Sequence, residues 1–158
     1  MSDFSPHATV AVVVERNGRF LLVEEWPRRD ATTITVFNQP AGHLEADESL
    51  TAAARRECLE ESGWRVGIDS YLGLYINTAP SGVVYHSHTF IARPLTQASH
   101  RLDDGVVAAH WLTAAEIVAL DGERRLRSPL VARRVKDALS GKRYPLALIH
   151  NLDHAETP

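Results

Sequence analysis

Residues 49 to 62 hold neither Pro nor Gly, are rich in Ala, Leu, Glu and Arg, and run into Gly63. That composition predicts a helix stopped by the glycine. At about 100° per residue, Glu57, Glu60 and Glu61 then share an arc of about 100° on one face. Like charges three and four residues apart cost roughly 0.2–0.5 kcal/mol per pair, and acids near a helix C-terminus oppose the macrodipole. Two local rules broken at one place call for a compensating partner. A divalent cation is the simplest one, because hard carboxylate oxygens suit Mg²⁺ or Mn²⁺ and Mg²⁺ commonly bridges a few carboxylates to a substrate phosphate. Leu50 and Ala54 mark the stripe expected to be buried, and Glu57 and Glu61 flank it. Partial desolvation there makes an unneutralised cluster costlier still. The plainer alternative is a solvated helix in which Arg56 and Glu60 pair at i, i+4 and the acids hold nothing.

The rest of the chain is mostly strand-like. Ala8–Glu15 and Arg19–Glu25 are β-rich and joined by Asn17-Gly18, a two-residue hairpin signal. Thr32–Phe37 predicts a short strand leading through Asn38-Gln39-Pro40-Ala41-Gly42-His43 to the acidic helix, for which Asp47 is the expected N-cap. Tyr71–Thr78 and Val83–Ala92 flank Ala79-Pro80-Ser81-Gly82 as a second hairpin. Val106–Leu112 is a further strand, and Thr113-x-x-Glu116 is a capping box opening a short helix. Ser128-Pro129 opens another helix that Gly141 ends, and Tyr144–Ile149 is expected to return as a last strand. The pattern is that of an α+β domain.

At 158 residues, with 44% hydrophobic and 23% charged residues, the chain fits a single globular domain spanning residues 1–158, loose only at about 1–6 and 151–158. A net charge of −3 and pI near 6.2 argue against general nucleic-acid or membrane-surface binding. No segment has the apolar length of a membrane span and no basic region precedes the first apolar run, so a cytoplasmic protein, monomeric or homodimeric, is expected. The lone Cys58 has no internal disulfide partner and is expected in the core. Arg124 to Arg143 holds eight basic residues against the single acid Asp137. Such a run is usually a solvated face, but a few of these donors are candidates to hold phosphate opposite the acidic helix.

The series Gly42-x5-Glu48-x7-Arg56-Glu57-Cys58-x-Glu60-Glu61-x-Gly63-Trp64 resembles the signature box of the Nudix hydrolases, with Cys58 and Trp64 standing where the family usually has an aliphatic residue. Trp111-Leu112-Thr113-Ala114-Ala115-Glu116 is similar to a Trp-x-x-x-x-Glu segment late in that fold, so the resemblance covers nearly the whole chain. It implies a mixed central β-sheet sandwiched between helices, with the box as a loop-helix-loop at the sheet edge. It also implies Glu57 and Glu61 as principal metal ligands, Glu60 as a further one, Arg56 as an orienting partner and Glu48 as support for the loop. The backbone at Gly42 passes close to the ion, so that the Ala41 or Gly42 carbonyl is a candidate ligand.

Outside the box, Leu126-Arg127-Ser128-Pro129-Leu130-Val131-Ala132 and Ser140-Gly141-Lys142-Arg143-Tyr144-Pro145-Leu146 look like a bacterial phosphatase branch of the family. That implies hydrolysis of nucleoside tri- and diphosphates with release of orthophosphate, and of thiamine diphosphate and its hydroxymethylpyrimidine diphosphate precursor to the monophosphates. Arg127, Lys142, Arg143 and Tyr144 become candidates to grip phosphate or ring, with Gln39 and His43 beside them from the loop. A diphosphate carries repelling charge and a poor leaving group, so its hydrolysis needs cations on the phosphoryl oxygens and a deprotonated water. One of the helix carboxylates, or a more distant acid, takes that proton. Asp103 and Asp104 fit a turn before Gly105 better than a ligand role. His86 and His88 alternate on one strand face and suit substrate contact better than zinc; Trp26, Phe37 and Tyr85 are rings more suited to core than to stacking. Two alternatives stand beside it: cleavage of nucleoside triphosphates to monophosphate and pyrophosphate, which the box alone does not separate from orthophosphate release and which the products distinguish, and a silent nucleotide-binding module, which would have no need of all three glutamates.

Overall fold

The computed structural model describes residues 4–27, 34–98 and 101–152. Its first strand, β1 (His7–Arg16), is buried without alternation from Val10 to Val14, as expected of a strand covered on both faces. Asn17 and Gly18 both take positive φ, 51° and 75°, the left-handed pair that a type I′ turn needs to hand the chain to β2 (Arg19–Glu25). β1 meets β2 only at Glu15 and Arg16. Its other half pairs antiparallel with β4 (Ala41–His43) and parallel with β6 (Val84–Gln97). β2 in turn carries β3 (Val36–Asn38) and β7 (Val106–Thr113), and β5 (Trp64–Thr78) lies outside β6. The result is one mixed seven-stranded sheet.

Helix α1 (Leu50–Ser62) covers one face, with Ala53, Ala54 and Cys58 packed on Val10, Val12, Val14 and Phe90. The other face is covered by α2 (Ala114–Gly122) and α3 (Leu130–Leu139), through Ile117, Val131 and Val135 on Val13, Leu22 and Ile91. This is the α+β sandwich with a mixed sheet that the resemblance implied.

Four sequence expectations are corrected. The N-cap of α1 is Ser49, whose hydroxyl accepts from Ala52 N at 3.1 Å; Asp47 instead occupies a left-handed position, φ 59°, in the turn before it. Tyr144–Ile149 makes a single bridge to Tyr71 and then a 3₁₀ turn over Leu146–Leu148, because Pro145 has no N–H with which to continue a ladder. The second hairpin is longer than its alternation suggests, since register shifts near Val66, Ile68 and Gly73 reset the pleat and hide the period of two. Of the strand expected at Thr32–Phe37, residues 32 and 33 lie outside the described residues, and the observed strand starts only at Val36. Thr113 and Glu116 form the reciprocal capping box as expected.

Candidate active site

Three segments converge at the C-terminal half of α1. Because β4 pairs with β1, the turn Gln39–Gly42 is pressed against the helix, and Gly42 faces Glu57 so closely that a Cβ there would lie 2.1 Å from Glu57 Oε1. Only glycine permits that approach. On the far side, Asp103 N donates to Glu60 O at 3.0 Å and Trp26 N to Gly105 O at 2.9 Å, tying the 103–105 loop to the helix end and to the exit of β2. Glu57, Glu60 and Asp103 each offer a carboxylate oxygen within 4.8 Å of the others. Glu61 stands beside this trio, its Oε2 accepting from Ala41 N at 2.9 Å.

One guanidinium organises the acids. Arg56 grips Glu48 through two parallel bonds, Nε to Oε1 at 2.7 Å and Nη2 to Oε2 at 3.0 Å, and reaches Glu57 Oε1 at 2.8 Å, Glu60 Oε2 at 3.0 Å and the His43 carbonyl at 3.0 Å. Its planar fork suits this task as an ammonium would not. Glu48 also accepts from Glu45 N at 3.1 Å, which closes the loop before α1. The Arg56 bonds hold Glu48 below the usual carboxylate range.

Charge balance fails nevertheless. Glu57 and Glu61 are 8% and 7% exposed. Burial raises Glu57 in spite of Arg56, with Glu60 and Asp103 adding to the rise. Burial pushes Glu61 up to about 8, against the Ala41 N–H and with the charges of Glu25, Glu57 and Asp103 in the same direction. A cluster of hard oxygen donors with one shared cation, lying against a glycine backbone, fits a divalent metal ion.

The other residues singled out by the sequence are distributed as follows. Arg127 pairs with Glu25 at 2.9 Å, and its segment is fixed to β3 through Phe37. Lys142 pairs with Asp137 at 2.8 Å, and Arg143 donates to the carbonyls of Ala138 and Lys142. Tyr144 is exposed. His43 is exposed beside His7, whose Nδ1 is 3.2 Å from His43 Nε2, with the Tyr85 ring 6.1 Å from its own. Gln39 is buried. His88 bonds Tyr71 OH at 3.0 Å, Phe37 is core and Trp26 is exposed. Asp103, weighed first as a turn residue, and Glu25, passed over altogether, are the residues that sequence reading missed around the acids, while Arg134, counted only as one of the basic run, is buried against Gln39, Ser87 and Thr89. No local period marks any of them, since each is brought in by pairing between distant segments.

Taken with the matches that follow, the loop-helix-loop on a mixed sheet and its carboxylate cluster mark a hydrolase acting on phosphoanhydride bonds. The chain belongs to the Nudix hydrolase family: the NUDIX domain matches residues 5–133. It is 40% identical over 148 residues to phosphatase NudJ of Escherichia coli K12, covering 92% of each chain, and equally so to phosphatase NudJ of Shigella flexneri. A Nudix hydrolase structure from Nitrosomonas europaea superposes with a TM-score of 0.88 at 40% identity, over 96% of this chain and 100% of the other. The MutT protein of Methanosarcina mazei Go1 shares the fold alone, with a TM-score of 0.69 at 17% identity over 90% and 100% of the two chains.

Proposed function

We propose that the chain is a Mg²⁺-dependent phosphatase of small phosphoanhydrides. It removes orthophosphate from nucleoside tri- and diphosphates and converts thiamine diphosphate and hydroxymethylpyrimidine diphosphate to the monophosphates. The observation that carries the reading is the buried pair of Glu57, pressed on Gly42, and Glu61, held by the Ala41 N–H, in a chain 40% identical to proteins named phosphatase NudJ. Glu57, Glu60 and Glu61 are the proposed metal ligands, with Asp103 and a carbonyl of Ala41 or Gly42 beside them; Mn²⁺ substitutes for Mg²⁺. When bound, the ion supplies positive charge to the phosphoryl oxygens and acidifies a water.

The protein's own groups do the rest. Arg56 fixes the Glu57 and Glu60 carboxylates in one orientation and, through Glu48, holds the loop that carries Gly42. A carboxylate of the cluster, Asp103 among them, accepts the proton of the attacking water. Arg127, which pairs with Glu25, is the proposed partner of a substrate phosphate. Lys142, Arg143 and Tyr144 form the outer part of the proposed substrate-binding set, and His43 belongs to it from the loop, whereas Gln39 is buried with its amide bonded to α3 and does not reach substrate. Among the described residues no helix is long and apolar enough to cross a membrane, and a cytoplasmic enzyme, monomeric or dimeric, is proposed. The test is a panel of nucleoside and thiamine phosphates with Mg²⁺, separating released orthophosphate from pyrophosphate. Orthophosphate from both di- and triphosphates is expected; pyrophosphate from a triphosphate would replace this reading with that of a pyrophosphohydrolase, and no release from any of them would remove it.

A further inference from the structure

Arg134, in the second turn of α3, is 4% exposed, yet among the described residues no carboxylate pairs with it. Burial lowers its pKa only to about 10, so it stays a cation at neutral pH. Its donors are spent on neutral oxygens: Nε on Thr89 Oγ1 at 3.0 Å, Nη2 on Ser87 Oγ at 2.7 Å and Nη1 on Gln39 Oε1 at 3.4 Å. The guanidinium carbon lies 5.4 Å from the centroid of the Tyr75 ring. A buried charge with no counter-ion is a poor way to stabilise a core, where an aliphatic side chain of similar volume commonly does as well or better. The site therefore uses the shape of the fork, which spans elements that no single shorter side chain reaches.

The third of those partners, Gln39, leads to the active site. Gln39 is 1% exposed, and its amide is fixed to α3 at both ends, Oε1 by Arg134 and Nε2 by donation to Val131 O at 2.8 Å. The next residue, Pro40, accepts from Val12 N at 3.0 Å; the one after, Ala41, donates to Glu61; and Gly42 lies on Glu57. Thr89, Ala11 and Ala41 are register partners across β6, β1 and β4, so the guanidinium sits on the same strand row as the turn it anchors.

We infer that Arg134 is a positioning residue: through Gln39 it fixes the turn whose Ala41 N–H holds the Glu61 carboxylate and whose Gly42 backs Glu57, and Gln39 serves the site from beneath rather than by touching substrate. This rests on the proposed phosphatase reading for the meaning of kcat, but not for the geometry.

The test compares Gln39→Met, Arg134→Met and Arg134→Lys in the full chain. Amide hydrogen exchange at Ala41 is read without metal, and kcat and KM are read for a nucleoside diphosphate with Mg²⁺. In Gln39→Met the Ala41 amide is expected to exchange at least tenfold faster while amides within α1 stay within threefold, and kcat falls at least tenfold with KM within threefold. Arg134→Lys keeps the charge but not the fork, and is expected to behave like Arg134→Met. Unchanged Ala41 protection in Gln39→Met overturns the inference, as does a raised KM at constant kcat, which would put Gln39 on the substrate, or full rescue by lysine. Should the arginine variants fail to fold, Gln39→Met decides alone, because it leaves Arg134 bonded to Ser87 and Thr89. Wild-type protein without turnover would sink the phosphatase reading and leave the exchange result to be read by itself.

Discussion

Gly42 and Glu57 show how little room separates the backbone from the acids. A methyl group at Gly42 would collide with the far end of the Glu57 side chain, which can swing away, rather than with backbone. Gly42→Ala is therefore expected to lower kcat at least tenfold while shifting the melting temperature by no more than a few degrees; unchanged turnover would place Glu57 outside the chemistry. Glu61 gives a pH signature. Its folded pKa of about 8 lies above the ordinary 4.5, so its contribution to stability is fully present below about pH 4.5 and is lost as pH rises through 8. The loss is of the order of a few kcal/mol, from a few pKa units at about 1.4 kcal/mol each. In the presence of a chelator, the wild-type melting temperature should thus fall from pH 5 to pH 8 relative to that of Glu61→Gln, and Mg²⁺ should recover it at pH 8. A constant difference between the two proteins across that range would show that Glu61 is not a buried, uncompensated acid.

The elements divide into those that local rules dictate and those that depend on the whole chain. Helix α1 was readable because its stop at Gly63, φ 75°, and its three clustered acids are all local. The Asn17-Gly18 hairpin and the Thr113–Glu116 capping box were readable for the same reason. The cap at Thr113 is worth about 1 kcal/mol by the usual cost of losing a side-chain N-cap. Thr113→Ala should accordingly lower the melting temperature by about 2–4 °C in a chain of this size, as measured by calorimetry or circular dichroism; no shift would mean that α2 is held by packing alone. What escaped local reading was set elsewhere. Asp103 reads as a turn residue until its N–H is seen bonded to Glu60 O, and Arg134 reads as one more basic residue in a charged run until α3 turns it onto β6. Four of the eight basic residues in that run pair with Glu24, Glu25 or Asp137, one is the buried Arg134 and Arg143 donates to backbone carbonyls, so the charge count said little about where the charges would lie.

For the molecule as a whole, the sheet explains why the chemistry gathers at one place. β1 gives one half to β4 and β6 and its end to β2, so the loop after β3, the end of β2 and the loop after β6 all open beside the C-terminal half of α1. Five acids, Glu25, Glu57, Glu60, Glu61 and Asp103, meet there with Arg56 and Arg127 as the basic side chains paired to them. Two of the five, Glu57 and Glu61, are buried, and such an excess of carboxylates is tolerable in the folded enzyme if a cation joins it. Calorimetric titration of Mg²⁺ into the protein with a non-hydrolysable nucleoside diphosphate analogue measures this directly. Saturable, metal-linked binding is expected in the wild type and at least tenfold weaker binding in Glu57→Gln. Nucleotide binding that is indifferent to Mg²⁺ and Mn²⁺, or a Glu57→Gln variant that binds metal as well as the wild type, would contradict a catalytic cation held by these carboxylates.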